Sequence, residues 1–129
     1  MAIAQPRPDL EAHAHSVRAG FAIVADELCG LLGARLVAYI GNVSETRAVH
    51  EWAEGNRHPS EAVERRLRLA LQVATMIAAA DGPAVAQAWF QGLNPQLDDR
   101  SPARLLREGD VDEVGAPVVS AARAFLVGG

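Results

Sequence analysis

Residues 31–69, LLGARLVAYIGNVSETRAVHEWAEGNRHPSEAVERRLRL, decide how the rest of the chain is read. Leu32, Leu36, Val37 and Ile40 recur at three-to-four-residue spacing, the stripe of a short helix facing a core. Gly41 and Asn42 interrupt it, and both tolerate the positive φ of a tight turn. Ser44 is expected to cap the next helix through its hydroxyl. That helix, over roughly residues 45–54, turns Val49 and Trp52 inward and Arg47, Glu51 and Glu54 outward. Gly55 is placed as its C′ residue, and Asn56, Arg57, His58 and Pro59 as the exit loop. Two helices joined by a short Gly-containing turn make a helix-turn-helix. The second of them has the size of a major-groove reader.

Reading outward, Ser60 caps a long helix to about Ala80, with Val63, Leu67, Ala70, Leu71, Ala74, Ile77 and Ala78 on its apolar face. Upstream, Asp9 is a candidate cap after a loose lead-in holding Pro6 and Pro8. From it, Leu10, Ala14, Val17, Phe21, Val24, Leu28 and Leu32 alternate in steps of four and three, a narrow seam fit for this domain or for a second copy. Gly20 within that seam marks either a cost or a close helix crossing. Downstream, Asp81-Gly82-Pro83 ends the long helix and opens another over residues 84–91, carrying Val85, Ala88 and Trp89 and ending at Gly92. Asn94-Pro95 forces a turn. Ser101-Pro102 opens a short helix with Leu105 and Leu106 inward, stopped by Gly109. After a brief turn at Val111 and Val114, Pro117 is expected to open a last helix presenting Val118, Ala121, Ala122, Phe125 and Leu126. No strand-like alternation or internal repeat occurs, so the expected fold is all-α.

The chain has 129 residues, half of them hydrophobic, enough for a packed core in one domain or a small domain with an extension. Its boundaries are expected at residues 1–30 (an N-terminal helix suited to homodimerisation), 31–80 (the helix-turn-helix) and 81–129 (a further helical unit). All twelve basic residues are Arg, and the net charge is −4, which argues against bulk nonspecific nucleic-acid binding. The charge is uneven. Residues 31–69 hold six Arg against five Glu, whereas residues 81–129 hold four Arg against seven acidic residues. The middle is the segment that phosphate does not repel, and the C-terminal third suits a basic partner.

Catalysis finds little support. Asp98 and Asp99 are adjacent and diverge on most backbones, so they read as turn-capping carboxylates rather than a catalytic dyad. Ser44, Ser60 and Ser101 precede helices. His13 and His15 fall on different helix faces and cannot share a metal. Cys29 is the only cysteine, a small hydrophobe near a helix end with no intrachain disulfide to form. The expectation is a cytoplasmic protein with no cofactor, metal, signal peptide or membrane span. Binding is better supported. On a DNA-facing helix, Glu45, Thr46, Arg47 and His50 are candidate base-contacting residues, Arg47 being suited to a guanine edge. Asn56, Arg57 and Arg35 are candidates for phosphates. Trp52 is read as the core anchor of the unit.

Two runs carry a resemblance. Trp52-Ala53-Glu54-Gly55-Asn56-Arg57-His58-Pro59 looks like the W-x-x-G-x-x-x-P ending of the helix-turn-helix in Xre-type regulators, although the spacing from Ser44 to Trp52 is longer than usual there. The second run is Trp89-Phe90-x-Gly92-x-Asn94-Pro95-x-Leu97-x-x-Arg100-Ser101-Pro102-x-x-Leu105-Leu106-x-x-Gly109, followed by Ala121-Ala122-Arg123-Ala124-Phe125. It resembles the C-terminal toxin-binding domain of the Xre/MbcA/ParS antitoxins, over residues 84–127. The resemblance implies an antitoxin whose C-terminal unit blocks a RES-domain toxin, an enzyme that consumes NAD, and whose helix-turn-helix represses the shared operon. It carries a partner-binding role onto Asn94, Pro95, Arg100, Pro102, Leu105 and Leu106, some of which build the fold. It sets Arg123 and Phe125 nearest the toxin. The alternatives are a helix-turn-helix regulator, or a protein adaptor, with no toxin partner.

Overall fold

A computed structural model describes residues 20–128. The expected lead-in, the Asp9 cap, the seam at Leu10, Ala14 and Val17, and the His13/His15 pair lie outside the described residues. Helix α1 covers residues 20–32. It is followed by α2 (Ala34–Gly41), α3 (Thr46–Ala53), α4 (Glu61–Asp81) and α5 (Pro83–Gln91). A single 3-10 turn (Pro95–Leu97) then leads to α6 (Pro102–Glu108) and α7 (Val111–Leu126). Among the described residues there is no strand, only an isolated bridge pairing Asn94 with Arg100. The fold is all-α.

The seam read in the sequence is buried where it is described, at Phe21, Val24, Leu28 and Leu32. A side chain at Gly20 would meet nothing within 4 Å, so no crossing within the described chain accounts for that glycine. The helix that seemed to run on through Leu32 breaks at Gly33, whose φ of 85° is a conformation that side chains resist. At the α2–α3 connection the two turn residues have different jobs. Asn42 alone takes the left-handed conformation, at φ 59°. Gly41 remains helical, and a Cβ there would lie 3.3 Å from Trp52 Cη2, so glycine lets the indole lie against the α2 backbone. Trp52 is 2% exposed and meets Phe21 edge-to-face, with ring centroids 6.0 Å apart.

Ser44 does not cap α3. The cap position belongs to Glu45, in extended backbone with no side-chain bond to the first turn. Ser60 does cap α4, accepting from the Val63 N–H at 3.3 Å. α4 buries Leu67, Ala70, Val73, Ala74 and Ile77. Val63, Leu71 and Ala78, expected on that face, are half-buried, and Val73 takes the place between them. This long helix packs on α2, α5, α6 and α7 and is the spine of the molecule. The buried apolar residues, from Phe21 to Ala122, form one cluster.

Gly82, at φ 93°, and Pro83 turn the chain into α5 as expected. Ala86, Trp89 and Phe90 are buried there, whereas Ala88, expected inward, faces out. Ser101 accepts from the Arg104 N–H at 3.1 Å and Pro102 follows it, so α6 starts where its residues said it would. A Cβ at Gly109 would lie 2.8 Å from the Leu105 carbonyl oxygen and 2.6 Å from Val114 Cγ1, so the stop is also a close approach.

The last helix departs from expectation. α7 begins at Val111, not Pro117, and runs through the proline without a break. Asp110 caps it, accepting from the Asp112 N–H at 2.9 Å, and Asp112 and Glu113 lie in the first turn, where the helix dipole favours carboxylates. An interior proline costs about 3 kcal/mol through the missing i−4 bond. Here that bond would go to the carbonyl of Glu113, an exposed residue that water can reach. Set against that cost is burial of Gly115, Val118, Ala121 and Ala122. Gly115 admits Leu69 so closely that a Cβ there would lie 2.8 Å from Leu69 Cδ1.

Candidate functional site

Two surfaces gather the residues singled out by sequence. The first surrounds the start of α3. Arg47 and His50 are exposed on that helix, Thr46 is half-buried, and Glu45 is exposed just before it. Glu45, Arg47 and Arg57 line one cleft, together with Ser44 and Glu51. Arg35 and Thr46 line another, of about 350 Å³, with Tyr39, Ser44 and Arg107. His50 and Asn56 line neither. Two of the phosphate candidates have partners in the chain. Arg57 donates to Glu51 at 3.2 Å, and Asn56 Nδ2 donates to Glu54 Oε1 at 3.3 Å.

Pairing separates the arginines. Arg57, Arg65, Arg68, Arg100 and Arg104 each have a carboxylate partner. The Arg65–Asp112 pair ties α4 to the first turn of α7, and it raises the pKa of the already basic Arg65 through its hydrogen bond and charge. Among the described residues, Arg35, Arg47, Arg66, Arg107 and Arg123 have no carboxylate within ion-pair distance. All of these except Arg123 stand around the α2–α3 connection. Arg66 Nη1 donates to the Ile40 carbonyl at 3.3 Å and Arg107 Nη1 to the Tyr39 carbonyl at 2.7 Å. Two guanidiniums from α4 and α6 therefore satisfy carbonyls at the end of α2, where the dipole welcomes cations. Burial, and then the neighbouring Arg107, lowers the Arg66 pKa. Sequence reasoning missed both residues. Arg107 occupies an unspecified position of the α6 motif, and only the fold brings it to Tyr39.

The second surface is a groove of about 270 Å³ between α5, the 94–100 loop and α7. Trp89, Leu93, Asn94, Pro95 and Phe125 line it, with Ala88, Ala121 and Ala124. Leu93 is 76% exposed at its edge. Asn94 shapes the loop. Its side chain accepts from the Gln96 N–H at 2.9 Å, its carbonyl accepts from Leu97 and Asp99, and its N–H donates to the Arg100 carbonyl. Asp98 and Asp99 both have positive φ, 57° and 61°, so their backbone rather than a carboxylate cap makes the turn. Arg100 closes the loop by donating to the Leu97 carbonyl at 3.3 Å. Pro102, Leu105 and Leu106 are buried on α6 and line no part of the groove, and Arg123 is exposed on α7 outside it. Asn94, Pro95 and Phe125 are thus brought to one place.

Cys29 is half-buried near the end of α1, and burial, with Asp26 close by, raises its thiol pKa. Among the described residues no group of three or more His, Cys, Asp or Glu could hold a metal ion, and no helix is long and apolar enough to cross a membrane.

This all-helical chain has a solved counterpart. A chain of the crystal structure of the M. tuberculosis MbcT-MbcA toxin-antitoxin complex matches it with a TM-score of 0.61 and 28% identity, over 80% of this chain and 94% of that one. The likeness is to an MbcA-type antitoxin, MbcA being the antitoxin of the MbcT toxin. No protein-family model and no curated protein sequence matches the chain.

Proposed function

We propose that this chain is the antitoxin of a toxin-antitoxin pair, and that it acts by occupying its partner's surface rather than by chemistry of its own. The observation that carries the reading is the likeness to the MbcT-MbcA complex, which extends over most of both chains. The groove supports it physically, because the exposed Leu93 and the half-buried Phe125 of α7 in one groove make a surface that gains from being covered. The partner we infer is a RES-domain, NAD-consuming toxin in the cytoplasm. It is met by the loop from Asn94 to Arg100 and by the end of α7 with Arg123 and Phe125.

The second role we infer is repression of the shared operon, with α3 in the major groove of operator DNA. Its support is the cluster of arginines without carboxylate partners around the start of α3, in a chain whose net charge is otherwise negative. Arg47 is the residue suited to read a guanine. Co-expression of the chain with the protein encoded beside it tests the first role. Growth restored by wild type and by Arg47→Ala, but not by Phe125→Ala, is the expected result. Failure of the wild type to restore growth or to bind that protein would remove the antitoxin reading.

A further inference from the structure

The cleft shared by α2, α3 and α6 contains cations and no carboxylate. Arg35, Tyr39, Ser44, Thr46 and Arg107 line it, and none of the remaining lining residues is acidic. Arg107 reaches it from the last turn of α6 in a fixed posture. One of its N–H groups is bonded to the Tyr39 carbonyl at 2.7 Å, and its Cζ stands 4.5 Å from the centroid of the Tyr39 ring. A guanidinium has five N–H donors in a planar fork, so most of them stay available after that bond. Arg66 caps the same helix end through the Ile40 carbonyl at 3.3 Å, so two guanidiniums meet the end of α2, and the cleft lining itself holds no carboxylate. A held guanidinium in a cleft that Arg35, Ser44 and Thr46 also line offers the donors that a phosphate diester takes.

We propose that Arg107, with Arg35 in the same cleft, binds a backbone phosphate of the DNA that α3 meets, so that α6 contributes a DNA contact from the half of the chain assigned to the toxin. The inference rests on the DNA-binding reading of α3. It differs from that reading in naming a residue outside the two-helix motif, and in giving it a role independent of base sequence.

The test uses the full chain, its own upstream duplex and an unrelated duplex, with binding measured from about 50 to 200 mM salt, where phosphate contacts weaken steeply. Arg107→Gln keeps a donor for the Tyr39 carbonyl, and a melting curve confirms that it folds. It is expected to weaken both duplexes by a similar factor and to reduce the slope of log affinity against log salt by about one. Arg107→Lys, which retains the charge, should recover most of that slope. Tyr39→Leu, which removes the ring but not the charge, should leave the slope as in wild type. Inorganic phosphate is titrated alone as a separate arm. If Arg107→Gln keeps the wild-type slope while wild type binds DNA, the phosphate contact is wrong and the reading of α3 stands. If Arg107→Gln weakens only the upstream duplex, the residue merely props α2, and the proposal also fails. Saturable phosphate binding that needs Arg107, without an effect on DNA, reassigns the cleft to a free anion and overturns it. Wild type that binds neither duplex overturns both the proposal and the reading beneath it.

Discussion

The cleft at the start of α3 and the groove beside α7 are built by opposite means. At the cleft, the backbone is held by capping bonds from Arg66 and Arg107, and the exposed material is charge left uncompensated. At the groove, Asn94 and Arg100 hold the loop through its own backbone, and the exposed material is apolar, with Leu93 and Phe125 at the edge. Uncompensated charge seeks a polyanion over long range and weakens with salt. Apolar surface seeks a complementary solid surface and is far less sensitive to salt. One chain thus carries two kinds of appetite; α6 reaches the cleft through Arg107, while its buried Leu105 and Leu106 belong to the common core.

The sharpest way to break this comparison is to remove the material the two surfaces share. Trp52→Ala should destabilise the chain by about 3–5 kcal/mol, because a fully packed indole leaves a cavity that only partly collapses. Leu106→Ala, at 0% exposure in the same buried cluster, should cost about 2–5 kcal/mol. Both are expected to lower a single melting transition. Two separate transitions, each sensitive to one variant, would mean that the surfaces belong to independently folding units.

Smaller changes should separate the surfaces. Phe125→Ala is expected to weaken the toxin complex by about 2 kcal/mol while DNA affinity stays the same, since a few aromatic side chains carry a disproportionate share of an interface. Titration calorimetry on the folded variant measures it. Arg47→Ala should lose about 1–3 kcal/mol of discrimination between the upstream and an unrelated duplex, with toxin binding unchanged. Arg104→Ala sets the baseline. Its ion pair with Glu108 leaves both side chains more than half exposed, so the melting free energy should move by less than about 1 kcal/mol and neither binding activity should change.

What could be read from the sequence divides along physical lines. Local signals held where one residue type has one use: Ser60 and Ser101 as caps, Gly55 with φ 80°, and Gly82-Pro83 as a stop and start. They failed where tertiary packing overruled them. Pro117 looked like a beginning because proline ends helices. The Asp110 cap, and the contact of Gly115 with Leu69 on α4, lie outside any local rule. Ser44 looked like a cap, but the chain reaches α3 one residue later, through the extended Glu45. Gly41 was assigned to a turn for its freedom of φ and is needed for the room it gives Trp52. The groove was half legible, since Asn94, Pro95 and Phe125 belong to the motif. Its exposed edge at Leu93 was not, and neither was the convergence of Arg35 and Arg107 from helices far apart in sequence.

Binding between this chain and the purified product of the adjacent gene, measured for wild type and for Phe125→Ala at low and high salt, bears on the whole picture. A tight wild-type complex that persists at high salt and is weakened about thirtyfold in the folded variant is expected of an apolar groove that silences a toxin. No complex, or one as tight with alanine at position 125, would contradict it.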